Sequence, residues 1–135
     1  VAIAIQADGV HLGQTDMPYA IARQLLGPDK IIGLSVENFE QIKQANLLDV
    51  DYIGISPIFS TPTKTDTATP FGLEGTATAT QLSTHPTVAI GGIHLDNVEQ
   101  VMATGVDGVA VVSCICSADD PALAAQCLKT KICPK

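Results

Sequence analysis

Thr87-Val88-Ala89-Ile90-Gly91-Gly92-Ile93-His94 passes from a short apolar, β-branched run through paired glycines into a segment of helical spacing. Over 95–103 the apolar residues Val98, Val101 and Met102 recur three and four apart, the period of one helix face. Strand, polar or glycine-rich turn, helix is the unit of a parallel sheet, and the same unit recurs on both sides of this stretch. Strands are expected at 9–12, 31–34, 52–55, 87–90 and 108–112. Helices are expected at 18–26, 38–47, 73–82, 95–103 and 121–128. Asp16 and Pro18 mark the start of the first helix, Gly27 and Pro28 its end, and Asp120 is the expected N-cap of the last. The strands are nearly continuous apolar runs, the pattern of parallel strands buried on both faces. The fold class is therefore α/β, with right-handed crossovers.

The 135 residues suffice for one domain, or part of one. Hydrophobic residues make up 46% and charged residues 16%, and the mean hydropathy is +0.29, so the chain is too apolar for disorder. No apolar run is long enough to span a bilayer and no signal-peptide pattern opens the chain. The net charge of −7 and the lack of a basic stripe argue against nucleic acid. Cys114, Cys116, Cys127 and Cys133 form no CxxC pair or zinc pattern, and a reduced, cytoplasmic setting is expected. Small hydrophobic cysteines beside a buried strand are the expectation for Cys114 and Cys116. Val1–Gln6 runs on without an N-cap before it, as the tail of an element whose beginning lies upstream.

In parallel α/β folds ligands bind at the carboxyl ends of the strands. That rule selects Gly13-Gln14-Thr15-Asp16, Ser35-Val36-Glu37-Asn38, the loop from Ser56 to Thr69, Gly91-Gly92 and Ser113-Cys114. GxGxxG and P-loop patterns are absent. The loop Ser56-Pro57-Ile58-Phe59-Ser60-Thr61-Pro62-Thr63-Lys64-Thr65-Asp66 concentrates hydroxyls around one lysine, a kit for gripping a diphosphate, although a solvated linker has a similar composition. Arg23 is the single arginine, so an anion site must lean on amides, a metal or very few side chains. The glycine pair suits either a phosphate at backbone amides or a tight turn without a ligand. Asp16 is a candidate magnesium ligand or a helix cap. By itself His11, within a strand, reads as a structural residue, and His85 and His94 read as exposed loop residues.

Together these stretches resemble the thiamine phosphate synthase family. The likeness is carried by Ala7-Asp8-Gly9-Val10-His11-Leu12-Gly13-Gln14-Thr15-Asp16, Gly33-Leu34-Ser35, Asp51-Tyr52-Ile53-Gly54-Ile55-Ser56-Pro57-Ile58-Phe59, Thr61-Pro62-Thr63-Lys64, Ala89-Ile90-Gly91-Gly92-Ile93 and Gly108-Val109-Ala110-Val111-Val112-Ser113. The resemblance implies a (β/α)₈ TIM barrel of which the chain carries roughly strands four to eight, as the C-terminal part of a single barrel domain. It implies condensation of 4-amino-2-methyl-5-hydroxymethylpyrimidine diphosphate with a thiazole phosphate, through a pyrimidine cation, giving thiamine phosphate and diphosphate with magnesium (Mg2+). Asp16 then matches a magnesium aspartate, Lys64 the lysine on the leaving diphosphate, and Ser35 a diphosphate-binding serine. Thr61 and Thr63 match substrate-holding threonines. Gly91, Gly92, Val112 and Ser113, with Ile90 beside them, match the thiazole phosphate cradle, and His11 faces the pyrimidine pocket.

The family pattern also has a second magnesium aspartate and a glutamine, an arginine and a lysine that precede the stretch beginning at Val1. Little turnover is therefore expected of these residues alone, since an unclosed sheet exposes its edges. The resemblance leaves open a homo-oligomer and a fused or partnering thiazole kinase. A thiazole tautomerase is the alternative within the fold, disfavoured by Asp16 and the Thr/Lys loop. A non-catalytic module binding thiazole or thiamine phosphate, or a phosphate-binding barrel of another pathway, are the others.

Overall fold

In the computed structural model, residues 1–60 and 69–133 are described, so the expected site residues Thr61, Thr63 and Lys64 lie outside the described residues. Five strands, β1 (Gly9–Leu12), β2 (Ile31–Val36), β3 (Tyr52–Ile55), β4 (Thr87–Ile90) and β5 (Gly108–Ala110), form one sheet in the order β1-β2-β3-β4-β5. Every neighbouring pair is parallel. Six helices accompany them: α1 (Tyr19–Leu26), α2 (Phe39–Ala45), α3 (Gly72–Leu82), α4 (Val98–Met102), α5 (Ser113–Cys116) and α6 (Pro121–Ile132).

Several boundaries move from their expected places. Asp16 does not cap α1, whose N-cap position is Pro18; its carboxylate turns back to accept from the Gly13 N–H at 2.6 Å. Residues expected in a helix from 95 form a turn held by Asn97, so α4 is only Val98–Met102. The strand expected over 108–112 stops at Ala110, because Val112 starts a new short helix, α5, that periodicity did not signal. Asn38 caps α2 by accepting from Gln41 N–H, and Asp120 caps α6 by accepting from Leu123 N–H, as their side chains are suited to do. His85 is half-buried rather than exposed, its Nε2 lying 3.1 Å from the Ala45 carbonyl oxygen. Of the cysteines, Cys114 packs against the core while Cys116, Cys127 and Cys133 are exposed, so the expectation of small core cysteines is met at Cys114 alone.

The two faces of the sheet differ. Side chains alternate along a strand, so Leu12, Ile32, Val36, Ile53, Ile55 and Ala89 share one face. These residues are buried with Ala22 of α1, Ile42 and Ala45 of α2, Ala79 of α3, Val98 and Val101 of α4 and Leu128 of α6. On the other face stand His11, Gly33, Ser35, Tyr52, Gly54, Val88 and Ile90. Its side chains are half-buried or exposed, and Ile31 retains 49% of its surface. Burial on both faces, as the apolar runs suggested, is thus not what the described residues show. The helix-covered face is mostly apolar, and the other mixes His11, Ser35, Tyr52 and glycines with the apolar Ile31, Val88 and Ile90.

The amino ends of the strands are tied by charged groups. Asp51, just before β3, accepts from the Ile32 N–H of β2 at 2.7 Å; Asp107, before β5, accepts from the Thr87 N–H of β4 at 2.7 Å and from its hydroxyl at 3.1 Å. Arg23 donates to the carbonyls of Lys30 and Asp49 and to the Asp51 carboxylate. Thr87 is 1% exposed, so removing its acceptor strands a buried hydroxyl and amide. Asp107→Ala is expected to lower stability by about 1–3 kcal/mol, seen as a reduced urea midpoint with unchanged slope.

Candidate functional site

The carboxyl ends of the strands carry the residues that the sequence singles out. Gly13, Gln14 and Asp16 follow β1, and the Gln14 side-chain amide donates to the Ser35 carbonyl on β2, joining the first two strand ends. Asp16 is exposed and one of its oxygens is engaged by Gly13 N–H. No group of three or more His, Cys, Asp or Glu side chains suited to a metal ion occurs among the described residues.

Behind these loops lies a row of polar groups on the open sheet face. His11 on β1, Gly33 on β2 and Tyr52 on β3 are register partners, and Ser35 lies two residues beyond Gly33. The imidazole Nδ1 is 2.9 Å from the Tyr52 hydroxyl, and Nε2 is 2.8 Å from Ser35 Oγ. The rings are tilted with centroids 5.4 Å apart. Gly33 is what lets them meet, since a Cβ there would fall 2.2 Å from Tyr52 Cζ. Burial raises the Tyr52 phenol above its usual value, so it keeps its proton across the neutral range.

The chain leaving β3 runs alongside the chain leaving β4. Ile58 N–H donates to the Ile90 carbonyl at 2.9 Å and Phe59 N–H to the Gly91 carbonyl at 3.1 Å. Gly91 and Gly92 have φ of 104° and 68°, and a Cβ on Gly92 would sit 2.7 Å from Phe59 Cβ. Chain packing therefore accounts for the glycine pair whether or not a ligand sits there. Gly92 also borders an open cleft of about 510 Å³, with Phe59, Ser60, His94, Asn97 and Ser113 around it. Asn97 braces its wall, donating to the Gly92 carbonyl at 2.9 Å and accepting from His94 N–H at 2.9 Å.

The expected residues thus fall into two groups. His11 and Ser35 are in direct contact, with Gln14 tied to Ser35; Gly92 and Ser113 share the cleft. Ile90, Gly91 and Val112 do not line that cleft; Gly91 abuts Pro57, and Val112 is 63% exposed at the start of α5. Tyr52, Asn97 and His94 were not singled out as functional residues. For Tyr52 a signal was present, because glycines inside strand runs, such as Gly33 and Gly54, mark close approach by a neighbour.

The family model described as thiamine monophosphate synthase matches residues 1–115. The chain belongs to this family. Among thiamine monophosphate synthase relatives, it is 56% identical over 95% of its length to a thiamine-phosphate synthase of Vibrio campbellii, covering 63% of that protein. It is 54% identical over 98% of its length to that of Albidiferax ferrireducens, covering 60% of it. The chain therefore spans less than two thirds of these curated relatives. A thiamine phosphate pyrophosphorylase structure from Pyrococcus furiosus superposes with a TM-score of 0.88 at 40% identity, over 97% of this chain and 62% of that one. A 3-hexulose-6-phosphate synthase structure reaches a TM-score of 0.72 at 19% identity over 98% of this chain and 65% of that one, a likeness of fold alone. These neighbours are TIM-barrel-like, in accord with the parallel α/β sheet. No helix among the described residues is long and apolar enough to cross a membrane.

The backbone at Gly92 leaves no room for a side chain, since an added Cβ would press on Phe59. Gly92→Ala is expected to cost about 1–3 kcal/mol through its positive φ and the Phe59 contact, read as a lowered thermal midpoint.

Proposed function

We propose that the chain is the portion of a thiamine phosphate synthase carrying strands four to eight of a (β/α)₈ barrel, with the ends of its strands holding two phosphorylated substrates. The observation that carries this reading is the 56% identity to a curated thiamine-phosphate synthase along 95% of the chain. The two clusters at the strand ends support it. The Gly92 and Ser113 cleft offers a hydroxyl and a narrow backbone turn to a thiazole phosphate, with Ile90, Gly91 and Val112 on the flanking chain. Ser35 offers a hydroxyl to a pyrimidine diphosphate, with His11 in contact with it and, by resemblance, facing the pyrimidine pocket. Thr61, Thr63 and Lys64 complete the second group by resemblance.

A carboxylate with one oxygen already engaged by Gly13 N–H fits magnesium only as one ligand among substrate phosphates, and by resemblance Asp16 would be that ligand. The ion, when bound, neutralises the leaving diphosphate. In the reaction the pyrimidine methylene C–O bond breaks and its electron pair leaves on diphosphate. The ring nitrogens and amino group spread the positive charge. The thiazole nitrogen lone pair then forms the new C–N bond. The protein positions the two reactants and stabilises departing charge, with Ser35 and Lys64 at the leaving group.

The test is condensation of the two substrates with magnesium, thiamine phosphate being read by mass spectrometry with each component omitted in turn and the intact protein mass recorded. Product requiring all three components is expected from a chain containing the whole barrel. Absence of product from such a chain, with thiazole phosphate still bound, would convert the reading to a binding module. In the active protein, Lys64→Ala is expected to lower kcat by about 10²–10³. Ser113→Ala is expected to raise KM for the thiazole phosphate by roughly tenfold, with kcat nearly unchanged.

A further inference from the structure

Tyr52, His11 and Ser35 lie on three neighbouring strands with the imidazole bridging two hydroxyls. A neutral imidazole has one N–H and one bare nitrogen, so between these two hydroxyls, its hydrogen-bond partners among the described residues, the protons can be arranged in two ways. In one, Tyr52 O–H donates to Nδ1 and the Nε2–H donates to Ser35 Oγ, leaving the spare proton on the serine. In the other, Ser35 O–H donates to Nε2 and the Nδ1–H donates to the Tyr52 oxygen, leaving the spare proton on the phenol.

Position decides between them. Tyr52 is the first residue of β3, half-buried over Gly33, and its hydroxyl has no other hydrogen-bond partner among the described residues. A phenolic proton left over there would lose its acceptor. Ser35 lies nearer the carboxyl end of its strand, where Gln14 from the loop after β1 reaches its carbonyl. A spare serine proton there points toward the side on which a ligand would enter.

We propose that Tyr52 is a positioning residue that, through His11 held as the Nε2–H tautomer, turns the Ser35 hydroxyl into a donor aimed at an acceptor at the strand ends. The inference rests on the synthase reading for the identity of that acceptor, the diphosphate oxygens. The arrangement also explains two glycines: a side chain at Gly33 would collide with the Tyr52 ring, and a Cβ at Gly54 would sit 3.1 Å from His11 Cε1. An oxygen presented with lone pairs outward would repel a polyanion; one presented with its proton outward attracts it.

The tautomer is read directly from long-range ¹H–¹⁵N correlations of the ¹⁵N-histidine-labelled chain at about pH 8.5, above the usual imidazole range. With three histidines in the sequence, His11 is assigned by the signal lost in His11→Asn. The Nε2–H form is expected to dominate by about tenfold, and Tyr52→Phe, which keeps the ring, to remove that preference. Ser35→Ala should leave the Tyr52 contact and the tautomer in place. Circular dichroism melts establish that both variants fold. A dominant Nδ1–H form, or an unchanged tautomer in folded Tyr52→Phe, overturns the proposal. Titration of the same samples with magnesium and inorganic diphosphate tests the synthase reading separately. Perturbation of His11 that is several-fold weaker in Tyr52→Phe supports both, whereas a dominant Nε2–H tautomer with no diphosphate effect sustains the relay and sinks the diphosphate reading.

Discussion

Parallel pairing brings residues 11, 33 and 52 into one register row, and everything at the open sheet face follows from the size of the middle one. Strands sit about 4.8 Å apart, too close for three bulky side chains side by side on one face. With glycine at position 33, the imidazole and phenol lean over the central strand and share a hydrogen bond. The same strands hold Ile32, Ile53 and Val36 on the opposite face, where helices close over them and exclude water. One face supplies the hydrophobic free energy; the other is released from packing and can hold polar groups in fixed positions.

Much of this was legible in the residues. Five apolar runs with intervening helical spacing became five parallel strands in sequential order, and Asp120 caps its helix through the expected side-chain oxygen. The errors have physical sources. Hydropathy alone cannot say which face a Gly-containing strand turns to a helix, so burial on both faces was overestimated. Apolar Val111 and Val112 extend the β5 pattern, but the backbone at Val112 turns into α5 and ends pairing at Ala110. Asp16 sits where a cap belongs, yet its carboxylate reaches the nearer Gly13 amide instead.

Ser35 and Ser113 were singled out by their chemistry at the strand ends, whereas His11 read as a structural residue and became a candidate only by resemblance. The glycines in the strand runs signalled a close neighbour without naming it, because the contact of Tyr52 with His11, 41 residues away, is a relation that only the sheet register creates. Gly91 and Gly92 carried an ambiguous signal, since the demands of a phosphate on backbone geometry are the same as those of the Pro57–Ser60 chain that packs against them.

Arg23 is consumed at the amino ends of the strands, donating to four carbonyls and the Asp51 carboxylate, remote from the loops that face a ligand. Lys43 and Lys131 are likewise paired, with Glu40 and Glu99. These 135 residues carry a net charge of −7 with three of their seven cationic side chains so engaged, and a phosphorylated molecule approaches them against a negative field. Added monovalent salt shortens the reach of that field. Encounter with anionic ligands should therefore quicken as ionic strength rises, the reverse of the behaviour of proteins that steer phosphates in with a basic surface.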